Sequence, residues 1–420
     1  MFHCTSHMQT PSLGISRFPS YRSHTTSDDL RIPERIEIGV EPGLQFELAG
    51  PREMLFFDPK QTRAGIVTCG GLSPGLNNVI RSIFFELHYG YGVRDVLGFR
   101  GGYAGLDPSR GAEPIVITQE FVDTIHQDGG TILGTSRGPV DTKVAVDNLI
   151  ARGVNILFTV GGDGTQRGGN DVYQEARRRG YALSVVGVPK TIDNDVGFVS
   201  RTFGFFSAVG EASRVLDCAH TEARSTPGGI GLVKLMGRHA GFITAGATVA
   251  SQDVNFALIP EVPFALDVFL AALKERMLTK SHAVIAVAEG AGQDLLAADP
   301  SVRDASGNVK LRDIGPYLRE KIEEYFKAEG IPVIIRYFDP SYQIRSRPAN
   351  SEDAMLSDMF ARSAVHAAMA GKTGVVIGFL HDRFIHVPIE LLATHTKRLD
   401  PGSGWWRSVL QTTGQPERFA

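Results

Sequence analysis

At 420 residues the chain is long enough for two or three domains, and 42% hydrophobic content supplies full cores for them. A formal net charge of -3 removes the electrostatic motive for binding nucleic acid. Apolar runs such as 283–288 fall far short of the ~20 residues that cross a bilayer, so no membrane span is expected. Cys4, Cys69 and Cys218 are too few and too scattered for a disulfide framework or a zinc site, which points to a reducing, cytoplasmic compartment.

The first thirty residues are rich in Ser, Thr and His, carry Arg17 and Arg22, and hold no acid before Asp28. That composition fits a solvated extension better than an organellar leader, because no amphipathic arginine face is visible; organellar targeting stays the alternative. Globular patterning starts at Ala64. The apolar run 64–69 ends in the turn Gly70-Gly71-Leu72-Ser73-Pro74-Gly75, and a helix follows over 77–89, with Val79, Ile80, Ile83, Phe84 and Leu87 on one side.

The same strand, loop and helix unit recurs. Helices are expected over 141–152, 166–179, 202–224, 266–279, 313–328 and 351–370. Strands are expected over 156–160, 185–188, 231–235, 283–288, 333–336 and 375–379. Such alternation predicts a parallel sheet covered by helices on both faces, with ligands beyond the carboxyl ends of the strands.

Two loops at those ends carry chemistry. Gly161-Gly162-Asp163-Gly164-Thr165 follows the strand 156–160 and offers bare backbone N–H groups with one carboxylate, which suits a polyphosphate and its Mg²⁺. A plain helix cap at Asp163 is the competing structural reading. Gly70 and Gly71 form a second place for an anion, or an ordinary turn. Neither loop matches GxxxxGK[ST] or GxGxxG, which lowers a P-loop enzyme and a dehydrogenase. Pro189-Lys190-Thr191-Ile192-Asp193-Asn194-Asp195 supplies a lysine, a hydroxyl and two carboxylates, which suits an alcohol that loses its proton as a phosphoryl group arrives. Helix capping ahead of 202 would explain neither Lys190 nor Thr191, so Asp193 reads as a general base.

Further along, Met236-Gly237-Arg238 follows the strand 231–235, Glu289 follows 283–288, and Arg336 and Arg345 flank Phe338-Asp339-Pro340-Ser341-Tyr342. Planar guanidinium groups at strand ends suit a substrate phosphate, and a carboxylate beside them suits sugar hydroxyls. Together they read as a phosphosugar site.

The motifs GIVTCGGLSPGLNNVIR from Gly65, GGDGT from Gly161, PKTIDND from Pro189, KLMGRHAGF from Lys234, VAEGAGQ from Val287 and YFDPSYQIR from Tyr337 stand in an order and spacing that resembles the 6-phosphofructokinase family. The resemblance covers about 64–416 and is closest to the plant and trypanosomatid branch, ATP-dependent enzymes related to the pyrophosphate-dependent ones. It implies an α/β fold of two three-layer parallel-sheet domains with an N-terminal extension, and an active site in the cleft between the domains. The extension would be 1–57, the ATP-binding domain 58–204 plus about 344–395, and the fructose 6-phosphate domain 205–343 plus the C-terminal tail.

The implied roles map residue by residue. Asp193 would take the proton from the C1 hydroxyl of fructose 6-phosphate, with Thr191 and Lys190 at the moving phosphoryl group. Gly70, Gly71, Arg137, Gly138, Gly161, Gly162, Asp163, Gly164 and Thr165 would hold ATP, with Asp163 on Mg²⁺. Ile192, Met236, Gly237, Arg238, Glu289, Tyr342, Gln343, Ile344 and Arg345 would bind the sugar phosphate, and Arg238 would also steady transition-state charge. Arg336 would reach a neighbouring subunit's site, which implies a homo-oligomer, dimer or tetramer, of an allosteric glycolytic enzyme. Three positions depart from the bacterial pattern: Lys190 replaces a glycine, Tyr342 replaces a histidine, and Gly229 stands where an interface arginine is expected. Lys190 is typical of pyrophosphate users, whereas Gly164 is the ATP-type residue. The alternatives are therefore a pyrophosphate-dependent enzyme and, from another class, a non-catalytic regulatory subunit.

Overall fold

A computed structural model describes residues 10–19, 31–33, 45–139, 141–296, 301–303, 309–392 and 395–419. The described residues fall into two compact units. One draws on Met1–Thr191, Val196–Gly204 and Arg347–Thr396; the other on Ile192–Asp195, Phe205–Ser346 and Lys397–Ala420. The return to the first unit comes at Arg347 rather than 344, because Ile344 is wholly buried in the second unit's core.

The first unit is built on a nine-stranded sheet. From one edge the strands are Arg31–Pro33, Gln45–Leu48, Arg383–Pro388, Val375–Leu380, Ser184–Pro189, Ile156–Gly161, Arg63–Thr68, Asp95–Phe99 and Ile115–Val116. Its middle is parallel, as the alternation predicts, but both edges are antiparallel, so the sheet is mixed. The edge begins at a tight hairpin: His381 and Asp382 both hold φ near +55° (50° and 58°), the twist that joins Val375–Leu380 to Arg383–Pro388 in two residues. One face is covered by Leu76–Phe85 and Ser351–Met369, whose Val79, Ile80, Ile83, Phe360 and Ala364 bury against Ile66, Phe158 and Val186. The other is covered by Thr142–Ala151 and Asp163–Arg178 over Val67, Leu157 and Val185. Alternate strand residues thus face opposite helical layers.

Globular structure starts well before Ala64. Leu13 N–H donates to Gly371 O (2.8 Å), Phe18 pairs with Leu55, and Gln45–Leu48 joins the sheet. There the buried Glu47 carboxylate meets Arg52 (2.8 Å), Lys372 (2.9 Å) and His386 (3.3 Å). Burial would push this acid up, but the three basic partners hold it far below the carboxylate range. Residues 1–9, 20–30 and 34–44 of the expected extension, with Cys4, lie outside the described residues.

The second unit holds four parallel strands in the order Phe256–Leu258, His282–Ala288, Gly229–Leu235, Ile334–Phe338. Phe205–Arg224, Phe242–Ser251 and Gly404–Thr413 cover one face, where Phe205, Ile243 and Trp406 pack with Val233 and Val284. Leu266–Lys280 and Ile314–Ala328 cover the other, with Leu273 and Leu318 over Leu232 and Ile285. Among the described residues no helix is long and apolar enough to cross a membrane, and Cys69 and Cys218 are free thiols.

Candidate active site

In the first unit the glycine loops sit at the carboxyl ends of adjacent strands, Arg63–Thr68 and Ile156–Gly161. Gly162, in extended conformation, is the N-cap of helix Asp163–Arg178, so Asp163 opens the helix rather than capping it. The helix therefore presents its first N–H groups, its positive dipole end and one exposed carboxylate at a single point. Gln166 fastens this point from beneath: its buried Nε2 donates to Gly161 O at 2.8 Å and lies 3.3 Å from Val188 O, bridging two strand ends. Gly164 is exposed, and a side chain there would meet only the tip of Arg167, at 3.8 Å.

Gly70 turns the chain with φ +83°, and its N–H donates to Ser136 O (3.1 Å). Lys190, buried in its stem, donates from Nζ to Gly71 O at 2.6 Å. The loop Gly70-Gly71 and the lysine of the 189–195 segment thus meet in one place. Arg137 and Gly138 lie exposed just beyond Ser136, on the segment that holds Gly70.

The segment 189–195 passes from the first unit into the second. Thr191 belongs to the first, where its carbonyl accepts from Thr202 Oγ1 (2.7 Å). Asn194 takes φ +55°, a left-handed turn that asparagine tolerates, and it lies between the half-buried Asp193 and Asp195. Ile192 does not offer its side chain to a ligand: it is 6% exposed and packs in the second unit's core. Ile344 is likewise core, so at both positions only the backbone can serve a substrate. Lys397 joins this group from the C-terminal segment: its N–H donates to Asp195 O (3.1 Å), and its ammonium lies 5.0 Å from the Phe242 ring centre.

The expected phosphosugar residues cluster in the second unit. Gly237 takes φ +129°, and Gly290 N–H donates to Gly237 O (3.1 Å), which ties the Met236-Gly237-Arg238 loop to the one carrying Glu289. Burial raises the Glu289 carboxyl above its ordinary range, against the opposing pull of Arg238, Lys234 and Arg345. Arg345 stacks over the exposed Tyr342 ring at 4.9 Å and belongs to the short turn Gln343–Arg345. The Arg238 guanidinium also donates to Val309 O. Arg336 lies apart, exposed on strand Ile334–Phe338, with Glu222 of its own chain at 3.8 Å.

Several residues that build the site escaped the sequence reading. Lys234, one strand residue before Leu235, reaches Asp339 at 2.8 Å and Asp313 at 3.0 Å. Asp339 in turn accepts from Ser341 N–H (3.3 Å), so Lys234 pins the start of the loop that bears Tyr342 and Arg345. Its two carboxylates raise the lysine against the opposing effect of burial. Lys234 opens a quoted motif, yet nothing local marks its partners, which lie 79 and 105 positions away by residue number.

The phosphofructokinase family profile matches residues 63–368. An ATP-dependent 6-phosphofructokinase of Borreliella burgdorferi is 46% identical over 88% of this chain and 85% of its own length. ATP-dependent 6-phosphofructokinase 7 of Arabidopsis thaliana is 42% identical over 92% of this chain and 81% of its own, and the Trypanosoma brucei brucei enzyme 48% identical over 90% and 77%. Among solved structures, a pyrophosphate-dependent phosphofructokinase from Marinobacter aquaeolei shares the fold at TM-score 0.71 and 21% identity, covering 84% of this chain and 91% of its own.

Proposed function

The chain belongs to the phosphofructokinase family, and from that premise we propose that it transfers the γ-phosphoryl group of ATP to the C1 hydroxyl of fructose 6-phosphate, in glycolysis. The C1 oxygen forms the new bond to γ-phosphorus, the bond from γ-phosphorus to the β–γ bridging oxygen breaks, and ADP leaves. Asp193 accepts the hydroxyl proton. The loops 70–71 and 161–165 hold the phosphates, with the N–H groups that open helix Asp163–Arg178 among the donors, Arg137 and Gly138 flank the nucleotide, and Lys190 and Thr191 attend the moving phosphoryl group. The sugar phosphate rests on Met236, Gly237, Arg238, Glu289, Tyr342, Gln343 and Arg345, and Arg238 steadies charge as the bond breaks.

Mg²⁺ suits this arrangement. Among the described residues no three His, Cys, Asp or Glu side chains group as a metal cage. A single exposed carboxylate at a helix N-terminus is what an ion carried on nucleotide phosphates needs, and Asp163 is that ligand. The ion would neutralise phosphate charge. A homo-oligomer, dimer or tetramer, in which Arg336 serves a neighbouring subunit, completes the reading.

The observation that carries the choice of donor is the open position at Gly164, which places no side chain and no acid of its own there. An aspartate there would set charge and bulk against the α-phosphate of ATP. Lys190 favours the pyrophosphate-dependent reading, but a lysine can meet a phosphoryl group from either donor, so space is the stricter condition. The test is an assay of the purified protein alone with ATP and with pyrophosphate. Turnover with ATP and little with pyrophosphate is expected. Faster turnover with saturating pyrophosphate would transfer the assignment to the pyrophosphate-dependent enzyme, and none with either donor would leave a regulatory subunit.

A further inference from the structure

Tyr103 lies in the turn Gly102–Leu106, just past strand Asp95–Phe99, and only 6% of it is exposed. Its hydroxyl donates to Thr165 O at 2.5 Å, in the first turn of helix Asp163–Arg178. The same ring fills the space beside the helix's next turn: a Cβ on Gly168 would stand 2.6 Å from a ring carbon, and one on Gly169 3.3 Å from the phenol oxygen. Two adjacent glycines inside a helix cost about 1 kcal/mol each relative to alanine. Helix geometry does not call for them: the ring requires Gly168, and the phenol shares Gly169 with Thr159, whose Oγ1 would stand 3.1 Å from a Cβ there.

On its other side the tyrosine meets Cys69, the residue directly before Gly70-Gly71. The Tyr103 N–H and the Thr165 hydroxyl both face the Cys69 sulfur, and a side chain on Gly102 would stand 3.1 Å from it. Burial pushes this thiol up to about 12, so it stays protonated and serves as a neutral contact. One residue therefore touches the roots of three strand-end loops: its own, the loop at Gly70-Gly71 and the loop at 161–165.

We propose that Tyr103 is a positioning residue for the phosphoryl donor, its hydroxyl latching the helix N-terminus at Thr165 to the loop of Gly70 and Gly71. The inference rests on the reading that these two loops hold ATP. A tyrosine serving only as core filler would lose little on becoming phenylalanine, since ring and packing remain. A latch loses the spacing between two sets of backbone donors.

Tyr103→Phe is therefore the variant to test, by initial rates with each substrate varied in turn, calorimetric titration with MgADP, and thermal melting. We expect KM for ATP to rise about tenfold and MgADP binding to weaken similarly, equivalent to about 1.4 kcal/mol. KM for fructose 6-phosphate should stay within about twofold and the melting temperature within about 4 °C, the scale of one lost hydrogen bond. Gly168→Ala, which drives a methyl group into the ring, should show the same donor-selective loss although alanine is the better helix former. Active wild type with an unchanged KM for ATP in Tyr103→Phe, or equal rises in both KM values, overturns the latch alone. Wild type that neither turns over ATP nor binds MgADP overturns the donor assignment and the latch with it.

Discussion

The candidate donor loops and the candidate sugar-phosphate residues would, on the proposed reading, recognise phosphate by opposite means. In the first unit the proposed groups are glycine-rich main chain and a helix N-terminus, with Asp163 and Lys190 as the charged additions. In the second unit the proposed groups are side chains, Arg238, Glu289 and Arg345; Glu289 feels the charges of Arg238, Lys234 and Arg345, and the Lys234–Asp339 pair pins the start of the loop that bears Arg345. Backbone sites are set by local geometry and tolerate little added volume. Side-chain sites are set by charge and spread the effect of one substitution over several partners.

The sharpest division comes from the base. Asp193→Ser should lower kcat by about 10²–10⁴-fold, the usual worth of a positioned general base, with sugar-phosphate binding retained. More than a tenth of wild-type kcat in that variant would remove Asp193 from the role. Next in size is Gly164→Asp. The nearest atom to an added Cβ is the mobile tip of Arg167 at 3.8 Å, so the melting temperature should hold. Yet kcat/KM for ATP should drop at least ~100-fold, about 2.7 kcal/mol. A large loss of stability in Gly164→Asp would mean that the fold, rather than the donor, demands glycine.

On the side-chain region, Lys234→Met should raise KM for fructose 6-phosphate roughly tenfold and leave KM for ATP alone, since it frees the Asp339 end of the loop bearing Tyr342 and Arg345. Arg345→Ala should act in the same direction. Equal effects on both substrates would show that the network supports the whole unit instead.

The last test, on stability rather than on substrates, is a pH dependence. Burial holds the Lys397 ammonium down to about 7 from its ordinary 10.5, against the attraction of Asp195. Between those values the unfolded chain binds a proton that the folded chain does not, so this lysine's contribution to stability rises with pH across the window and is least below it. The melting temperature of wild type minus that of Lys397→Met should therefore increase from pH 7 to about 10. A difference that stays flat would mean the ammonium is well solvated in the folded protein.

The contrast also explains what could be read in advance. The glycine loops were legible because an absent side chain after an apolar run is a local signal, and the central strands because their runs match strand length. Phe256–Leu258 was missed because three residues carry no period, and Arg383–Pro388 because its pairing depends on a hairpin whose turn, His381-Asp382, lacks glycine. Ile192 and Ile344 share motifs with the other candidates, and only their burial sets the two side chains apart as core. Lys234 and Tyr103 were out of reach because their partners are brought near by tertiary structure alone.

The path of the chain between the two units bears on how the protein is made on the ribosome. Strand Ser184–Pro189 acquires one neighbour, Ile156–Gly161, early, but its other, Val375–Leu380, is synthesised only after nearly all of the second unit has emerged. For that interval the nascent first unit carries an open, mostly apolar strand edge, the kind of surface that templates pairing with other chains. Release of truncated chains ending near 346 should therefore yield aggregates even though the second unit's four strands are complete, and a chaperone that shields strand edges would matter more here than in a protein whose domains follow one another along the chain.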